Sequence, residues 1–281
     1  MRKIIVLAAA AALTLSACGK TDQIKKPSEG GGAASNAVNV KAHEYAFDVS
    51  GKPTTGSLSI EFANTGKELH HGIIGKLDEG KTLDDVNAFL KAGGQEPPEW
   101  FDDSPTDVNL LSPGEKATIT FEAKSAGTYV LLCFMPTPTG EPHVAKGMIN
   151  TFEVAEGGDT KAPKAAATIE MTEYTFSTPS VKAGDVSLEF KNAGKERHEF
   201  IVVQFAEGKK PADVDAWFEG GLKGDAPATF YGGTHEIAPG ESAFFTANLK
   251  AGTYTLVCGV ETEDGKNHAD DLGMMTELKI A

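Results

Sequence analysis

The feature that most constrains the fold is an internal repeat, because two copies of one pattern must fold into two copies of one structure. Four stretches recur in the same order: 44–47 at 173–176, 56–62 at 184–190, 64–70 at 192–198, and 126–133 at 251–258. The offset between the copies stays between 125 and 129 residues. A polar segment rich in Gly and Ala precedes each copy. We therefore expect domain 1 at residues 38–155, a linker at 156–167 and domain 2 at 168–281.

The N-terminus has the pattern of an export signal. A basic start, Met1-Arg2-Lys3, precedes an apolar run from Ile4 to Leu15 and small residues that end at Cys18. This pattern is typical of a bacterial lipoprotein signal, and the apolar run is too short to span a bilayer. We expect residues 1–17 to be removed, Cys18 to be lipidated, and residues 18–37 to form a flexible stalk. The protein would then be extracytoplasmic, in the periplasm or at the cell surface, and anchored to membrane lipid. The alternative is an ordinary cleaved signal with a stray cysteine.

The formal net charge is −14. Loss of Arg2 and Lys3 with the signal peptide would make it −16. An acidic surface disfavours nucleic acid as a partner and favours a partner protein with a basic patch, although simple solubility explains the charge equally well.

Hydrophobic alternation predicts an all-β chain. Leu58, Ile60 and Phe62 alternate with polar neighbours, as in a strand with one buried face. One amphipathic segment per repeat (82–90 and 211–218) ends at a Gly-Gly pair and predicts a short helix. Many short strands with Gly/Pro turns predict an antiparallel β-sandwich of about seven or eight strands per repeat, with one short helical insertion.

One set of side chains recurs in order in both repeats and could bind a metal. It consists of two His, one Cys and one Met: His70, Cys133, His143 and Met148 in domain 1, and His198, Cys258, His268 and Met274 in domain 2. If Tyr129 and Leu131 are buried, alternation turns the Cys133 thiol into the sandwich as well. A thiolate, two imidazoles and a weak thioether form the ligand set of a mononuclear blue copper site.

With these motifs the sequence resembles the cupredoxin family of plastocyanin-like and azurin-like blue copper proteins. The resemblance covers both repeats and is strongest in Asn-x-Gly before the first His, Gly-Thr-Tyr-x-Leu-x-Cys, Pro142-His143 and Gly-Met. It implies two tandem Greek-key β-sandwich domains, each able to hold one copper. The implied function is single-electron transfer through type 1 copper by a membrane-anchored protein that is not an enzyme.

One departure from the family pattern leaves alternatives open. Nine residues separate the Cys from the second His in both copies, where the family usually has two to four. The second copy also has an acidic loop, so copper is expected first of all in domain 1. A lipoprotein that keeps the sandwich for non-redox binding, or for copper storage, is the alternative. A multicopper enzyme is disfavoured, because the chain has seven His and no His-x-His.

The remaining His and the Cys pair have less defined expectations. His43, His71 and His235 lack counterparts in the other repeat and are expected at the surface, although His71 could substitute as a ligand. A disulfide between Cys133 and Cys258 would need two equivalent strand ends to face each other, and is not expected.

Overall fold

The computed structural model describes residues 36–94, 97–103, 106–158 and 160–281. The expected signal peptide, Cys18 and positions 18–35 of the expected stalk lie outside these ranges. In the part of the chain that is described, no helix is both long enough and apolar enough to cross a membrane.

Each repeat consists mainly of β-strands, as the alternation predicts. The first repeat contains β1 (Ala37–His43), β2 (Ala46–Gly51), β3 (Gly56–Asn64), β4 (His70–Leu77), α1 (Leu83–Lys91), β5 (Phe101–Asp102), β6 (Val108–Leu111), β7 (Lys116–Ala123), β8 (Gly127–Leu132) and β9 (Ile149–Val154). The second contains β10 (Ala167–Thr172), β11 (Thr175–Phe176), β12 (Gly184–Asn192), β13 (His198–Phe205), α2 (Pro211–Glu219), β14 (Ala228–Ile237), β15 (Ser242–Leu249), β16 (Gly252–Val257) and β17 (Met275–Ile280). Over the described ranges the chain is all-β with two α-helical insertions, as the sequence predicts, and a short 3₁₀ helix at His143–Lys146.

The strands form two sheets that face each other across the core. In the described chain the first sheet has the order β11-β10-β12-β15-β7-β3-β1-β2, and the second has the order β17-β16-β13-β14-β6-β4-β8-β9, with β5 beside β4. The expectation of antiparallel pairing throughout is wrong at two places, where β1 pairs with β3 and β10 with β12 in parallel. The physical reason is that β2 occupies one edge of β1 as an antiparallel hairpin. Strand β3 therefore takes the other edge of β1, where it runs parallel to β1.

The two domains share both sheets. Strand β7 of domain 1 pairs with β15 of domain 2, and β6 pairs with β14. In the first junction Ile119 lies opposite Phe245. These two residues are equivalent, because Ile119 pairs with Ile60 and Phe245 with Leu188, which match in the repeat. The domains are therefore related by a pseudo-two-fold axis at this junction, like the subunits of a symmetric dimer.

One hydrophobic core runs through both domains, and a smaller one lies beneath α1. The main core includes the equivalent residues Phe62 and Phe190, together with Ile119 and Phe245 at the junction. Helix α1 covers the smaller core, which consists of Leu77, Val86, Val130 and Leu132.

The start of the expected linker is hydrogen-bonded to domain 1. The Gly157 N–H donates to Thr55 Oγ1 (3.1 Å), and the Thr55 hydroxyl donates to the Gly157 carbonyl (2.8 Å). The position of the backbone at Gly157 is therefore fixed by the β2–β3 turn of domain 1.

Candidate metal centres

In each domain the strands bring the first His and the Cys to the same end of the second sheet. His70 is the first residue of β4, and Cys133 directly follows β8. Strands β4 and β8 are antiparallel neighbours, with Ile73 opposite Leu132. The start of one strand therefore lies beside the end of the other. His198 and Cys258 occupy the same places at the start of β13 and the end of β16.

Backbone hydrogen bonds close the long loop after the Cys. The His143 N–H donates to the Met135 carbonyl (2.8 Å), and the Thr137 N–H donates to the Glu141 carbonyl (2.8 Å). The residues between Met135 and His143 thus form a small hairpin, which returns the chain to the site. In domain 2 the corresponding bonds join His268 to Val260 (2.8 Å) and Thr262 to Lys266 (2.8 Å). The nine-residue spacing therefore lengthens the hairpin without separating the His from the Cys.

The three nitrogen and sulfur donors of domain 1 converge. Nδ1 of His70 lies 3.1 Å from Nδ1 of His143, and Cys133 Sγ lies 3.9 Å from the first and 3.4 Å from the second. A point equidistant from three atoms with these separations is about 2.0 Å from each. A metal–imidazole bond is of that length, roughly 2.0–2.1 Å for zinc. The triangle therefore has the size that a trigonally bound metal ion requires.

Domain 2 reproduces this arrangement. Cys258 Sγ lies 3.9 Å from Nδ1 of His198 and 3.4 Å from Nδ1 of His268. All six donor residues are fully buried. Within the described residues, these two triads are the groups of three or more His, Cys, Asp or Glu whose donor atoms lie within 4.8 Å of one another.

Met148 and Met274 are buried beside the triads through backbone contacts. The Cys133 N–H donates to the Met148 carbonyl (3.2 Å), and the Met148 N–H donates to the His143 carbonyl (3.0 Å). Met274 makes the same bonds with Cys258 (3.2 Å) and His268 (2.7 Å). The axial thioether role of either Met stays a prediction.

A carboxylate outside each triad orients the imidazole ring of the second His. His143 Nε2 lies 2.8 Å from Glu68 Oε2, and His268 Nε2 lies 3.1 Å from Glu196 Oε2. A carboxylate at Nε2 fixes the tautomer that leaves Nδ1 free to bind a metal. Sequence reasoning did not assign these acids a role. The available signal was that both recur two residues before the first His.

The Asn-x-Gly motif shapes the loop that carries this carboxylate. Asn64 Nδ2 donates to the carbonyls of Glu68 and Leu111 (both 2.8 Å), and its Oδ1 accepts the Gly66 N–H (3.0 Å). A Cβ at Gly66 would lie 3.0 Å from Nε2 of His70 and would clash with the Glu44 carboxylate. Asn192 repeats the hydrogen bonds in domain 2.

Burial controls the protonation of the donors. It lowers the pKa of His70 to about 4, helped by the nearby His143, and it lowers the pKa of His198 to about 4, helped by His268. Burial also raises the pKa of the Cys133 and Cys258 thiols to about 12. Near pH 7 these imidazoles are neutral and ready to bind a metal, and a bound cation would replace the thiol proton.

The donor chemistry fits copper. One Cys thiolate and two His imidazoles in a trigonal arrangement are the ligands of blue copper sites. Nε2 of His70 lies 3.6 Å from Glu44 Oε1, and neither this atom nor Nε2 of His198 makes a hydrogen bond among the described residues. Cys133 and Cys258 are free thiols, so the strand ends do not form the disulfide that was not expected.

Two of the His expected at the surface, His71 and His235, are partly buried where the two domains meet. His71 accepts the Phe134 N–H at Nε2 (2.7 Å), and its ring centroid lies 6.0 Å from that of His235. His235 Nδ1 lies 2.7 Å from Asp107 Oδ1, a hydrogen-bonding contact that joins the two domains. The physical reason is the shared sheet, which brings the β4 and β14 segments together. His43 is partly exposed, with 39% of its side chain accessible to solvent.

Comparison with known proteins finds a relative in sequence. Auracyanin-A of Chloroflexus aurantiacus is 29% identical over 143 residues, which cover 47% of this chain and 87% of that protein. No protein-family model matches the sequence.

Similar solved structures include a dithionite-reduced auracyanin from Roseiflexus castenholzii, which has 28% sequence identity and a TM-score of 0.31. The match covers 44% of this chain and 99% of that one. A copper-containing nitrite reductase from Thermus scotoductus SA-01 has 15% identity and a TM-score of 0.26, over 87% of this chain and 61% of that one.

The auracyanin-A match spans about half of the chain, which is the length of one repeat. Both repeats carry a buried His–Cys–His triad at the same place. The chain is therefore similar in sequence to auracyanin-A, and its two triads fit two tandem cupredoxin-like domains, each with a candidate copper site.

Proposed function

We propose that the protein is an extracytoplasmic electron carrier that holds one copper in each domain and is not an enzyme. The observation that carries this proposal is the pair of buried His–Cys–His triads. In domain 1 the ligands would be His70, Cys133, His143 and axial Met148. In domain 2 they would be His198, Cys258, His268 and axial Met274. Bound copper would supply a centre that cycles between Cu(II) and Cu(I) by one electron.

The chain's own residues hold the donors rigidly, as electron transfer with little rearrangement requires. Glu68 and Glu196 fix the second His of each site, and the hairpin after each Cys is closed by backbone hydrogen bonds. Because the donors are fully buried, water is excluded from the triads. Seven His in the chain, four of which belong to the triads, also leave few for a further copper cluster of the oxidase type.

The proposed path to a redox partner passes over a tyrosine. Tyr45 lies against His143, with ring centroids 4.9 Å apart, and Tyr174 lies against His268 at 5.2 Å. Both tyrosines are partly exposed. A partner that contacts either ring would approach within one side chain of a copper ligand.

The partner we propose carries a basic patch. A groove beside His268 is lined by more acids than bases, among them Glu196, Glu261, Glu263 and Asp264. Complementary charge would accelerate association, so the rate of reduction by a basic redox protein should fall as salt is added. A rate independent of ionic strength would contradict this choice of partner.

Membrane attachment through lipidated Cys18 is also part of the proposal, supported by the sequence pattern at residues 1–18. Metabolic labelling with a radioactive fatty acid tests it. The wild-type chain should be labelled and should sediment with membranes, and C18S should do neither.

Copper binding is tested by adding cupric ion and measuring the visible spectrum and the metal content per chain. We expect two coppers and an intense thiolate-to-copper charge-transfer band. C133S and C258S should each lose one copper, and the double variant both. C18S is the matched control, since it removes a thiol outside both triads and should keep two coppers. A colourless protein without retained copper would refute the electron-carrier function and leave non-redox binding as the alternative.

A further inference from the structure

The Glu-Tyr dipeptide that recurs in both repeats forms the turn between the first two strands of each domain. Glu44 and Tyr45 lie between β1 and β2, and Glu173 and Tyr174 lie between β10 and β11. In each domain this turn, here called the Glu-Tyr turn, lies against His residues of the triad.

In domain 1 the Glu-Tyr turn lies beside both imidazoles. The Tyr45 ring packs against His143, with centroids 4.9 Å apart, and its hydroxyl donates to Glu68 Oε1 (3.1 Å). The other oxygen of Glu68 lies 2.8 Å from His143 Nε2. Glu44 Oε1 lies 3.6 Å from His70 Nε2 and accepts the Glu68 N–H (2.8 Å). The turn is therefore hydrogen-bonded to the segment that precedes His70 and lies over both His ligands.

Domain 2 has the same arrangement. The centroid of the Tyr174 ring lies 5.2 Å from that of His268, and Glu173 Oε1 accepts the Lys195 N–H. A Cβ at Gly194 would lie 2.9 Å from Glu173 Oε1, so the Gly of the Asn-x-Gly motif leaves the space that this carboxylate occupies. The two repeated motifs therefore fit each other beside each site.

The Glu-Tyr turn lies on the side of the triad that faces solvent. The side chains of His70 and His143 are 0% exposed, whereas those of Glu44 and Glu68 are 26% and 24% exposed. Tyr45 is partly exposed as well. A single layer of side chains therefore separates the two imidazoles from water.

The sulfur side of the triad is closed by the main hydrophobic core. Cys133 and Met148 are fully buried members of that core. A cation crossing the core would lose its hydration without gaining new partners, which is costly. The route from solvent to the donors that needs the least rearrangement therefore passes the Glu-Tyr turn.

We propose that the Glu-Tyr turn is the gate of its copper site. Copper would enter and leave domain 1 when Tyr45 moves away from His143, and domain 2 when Tyr174 moves away from His268. Opening breaks the hydrogen bond from the Tyr45 hydroxyl to Glu68 and moves one aromatic ring, while the backbone that holds the donors stays in place. This inference rests on the proposed copper function.

The test measures the rates of copper exchange in the C258S chain, which keeps the domain 1 site. Uptake of cupric ion is followed by stopped-flow absorption at the visible band, and release is followed by transfer of copper to an excess of chelator. Y45A should accelerate both uptake and release by about tenfold, which is ~1.4 kcal/mol of barrier. Y45F should accelerate both by about fivefold, the effect of one hydrogen bond of ordinary strength. An open gate changes both rates alike, whereas lost packing alone would accelerate release and not uptake.

The matched control is D48N, because Asp48 is exposed on β2 of the same hairpin. It should leave both rates unchanged. In the C133S chain, which keeps the domain 2 site, Y174A should have the effect that Y45A has in domain 1.

A second readout needs no copper. In a chain with C18S and C258S, Cys133 is the remaining thiol. Its rate of reaction with a small thiol reagent, methyl methanethiolsulfonate, reports how often the site opens. Y45A should accelerate this reaction and D48N should not.

Uptake in Y45A no faster than in the parent C258S chain would overturn the proposal, as would equal acceleration by D48N. If Y45A does not fold, Y45F decides, because it removes a single hydroxyl. If the parent chain binds no copper, the proposed function fails. The thiol reaction then decides separately whether Tyr45 closes the site, and an unchanged rate in Y45A would refute the gate.

Discussion

The shared sheets predict that the two domains unfold as one unit, and truncation of Phe245 tests this. Phe245 is fully buried, packs against Phe190 and Phe200 with ring centroids 6.4 and 6.0 Å away, and lies opposite Ile119 across the junction. Truncation of a buried Phe to Ala costs about 3–5 kcal/mol of unfolding free energy. With a urea m-value of about 3 kcal/mol/M, the midpoint of F245A should fall by about 1–1.7 M.

The chain offers one tryptophan per domain as a probe. Trp100 packs against the small core under α1, and Trp217 lies on α2. In W217F the fluorescence reports domain 1, and in W100F it reports domain 2. We expect F245A to lower both midpoints by the same amount, although the substitution is in domain 2.

A matched control is T253A, because Thr253 is exposed on β16 and its truncation should shift neither midpoint. A fall of the Trp217 midpoint with an unchanged Trp100 midpoint would refute the reasoning. It would mean that the β7–β15 and β6–β14 pairings do not couple the stabilities of the domains.

Three further predictions concern the sites and their surroundings. E68Q should weaken copper binding in domain 1 by roughly 10–100-fold, because the Glu68 carboxylate orients His143. Copper titration of the C258S chain measures this affinity, and E61Q at an exposed position is the control. The metal-free protein should lose stability as the pH falls from about 6.5 towards 4, because the pKa of His198 is lowered to about 4 and the unfolded chain takes up the proton first. H198N should reduce the pH dependence of the unfolding free energy by up to about 1.4 kcal/mol per pH unit. An unchanged pH dependence in H198N would contradict this reasoning. N64A should cost about 1–3 kcal/mol in urea unfolding, because it leaves the buried Leu111 carbonyl without its donor, whereas N39A at an exposed position should cost little.

The sequence by itself determined the repeat, the all-β class and the order of the donors. These follow from local patterns: the apolar residues Leu58, Ile60 and Phe62 alternate with polar ones because a strand points every second side chain into the core. Helix α1 lies at Leu83–Lys91, close to the predicted 82–90. The agreement is close because the residues that start the helix and the Gly pair that ends it lie in the same short segment. The placement of Cys133 in the interior followed from its register with Tyr129 and Leu131, which are buried as predicted.

Only the tertiary structure decided how the long Cys-to-His loop returns to the site. The spacing alone left ligation open, because loop closure depends on hydrogen bonds between residues that are not adjacent. The bond from His143 to Met135 and the contact from His143 to Glu68 provide that closure and orientation. The carboxylate lies 75 residues from its His in sequence, a separation that no local pattern reveals.

The tertiary structure also decided the relation between the domains. Edge strands carry no signal for the partner they will find, so the pairing of β7 with β15 could not be read from either repeat. The pairing of β6 with β14 places Asp107 against His235 and His71 close to His235, polar residues without counterparts when the repeats are aligned. The repeat therefore encodes two similar sites, whereas the packing of one copy against the other gives those sites different surroundings.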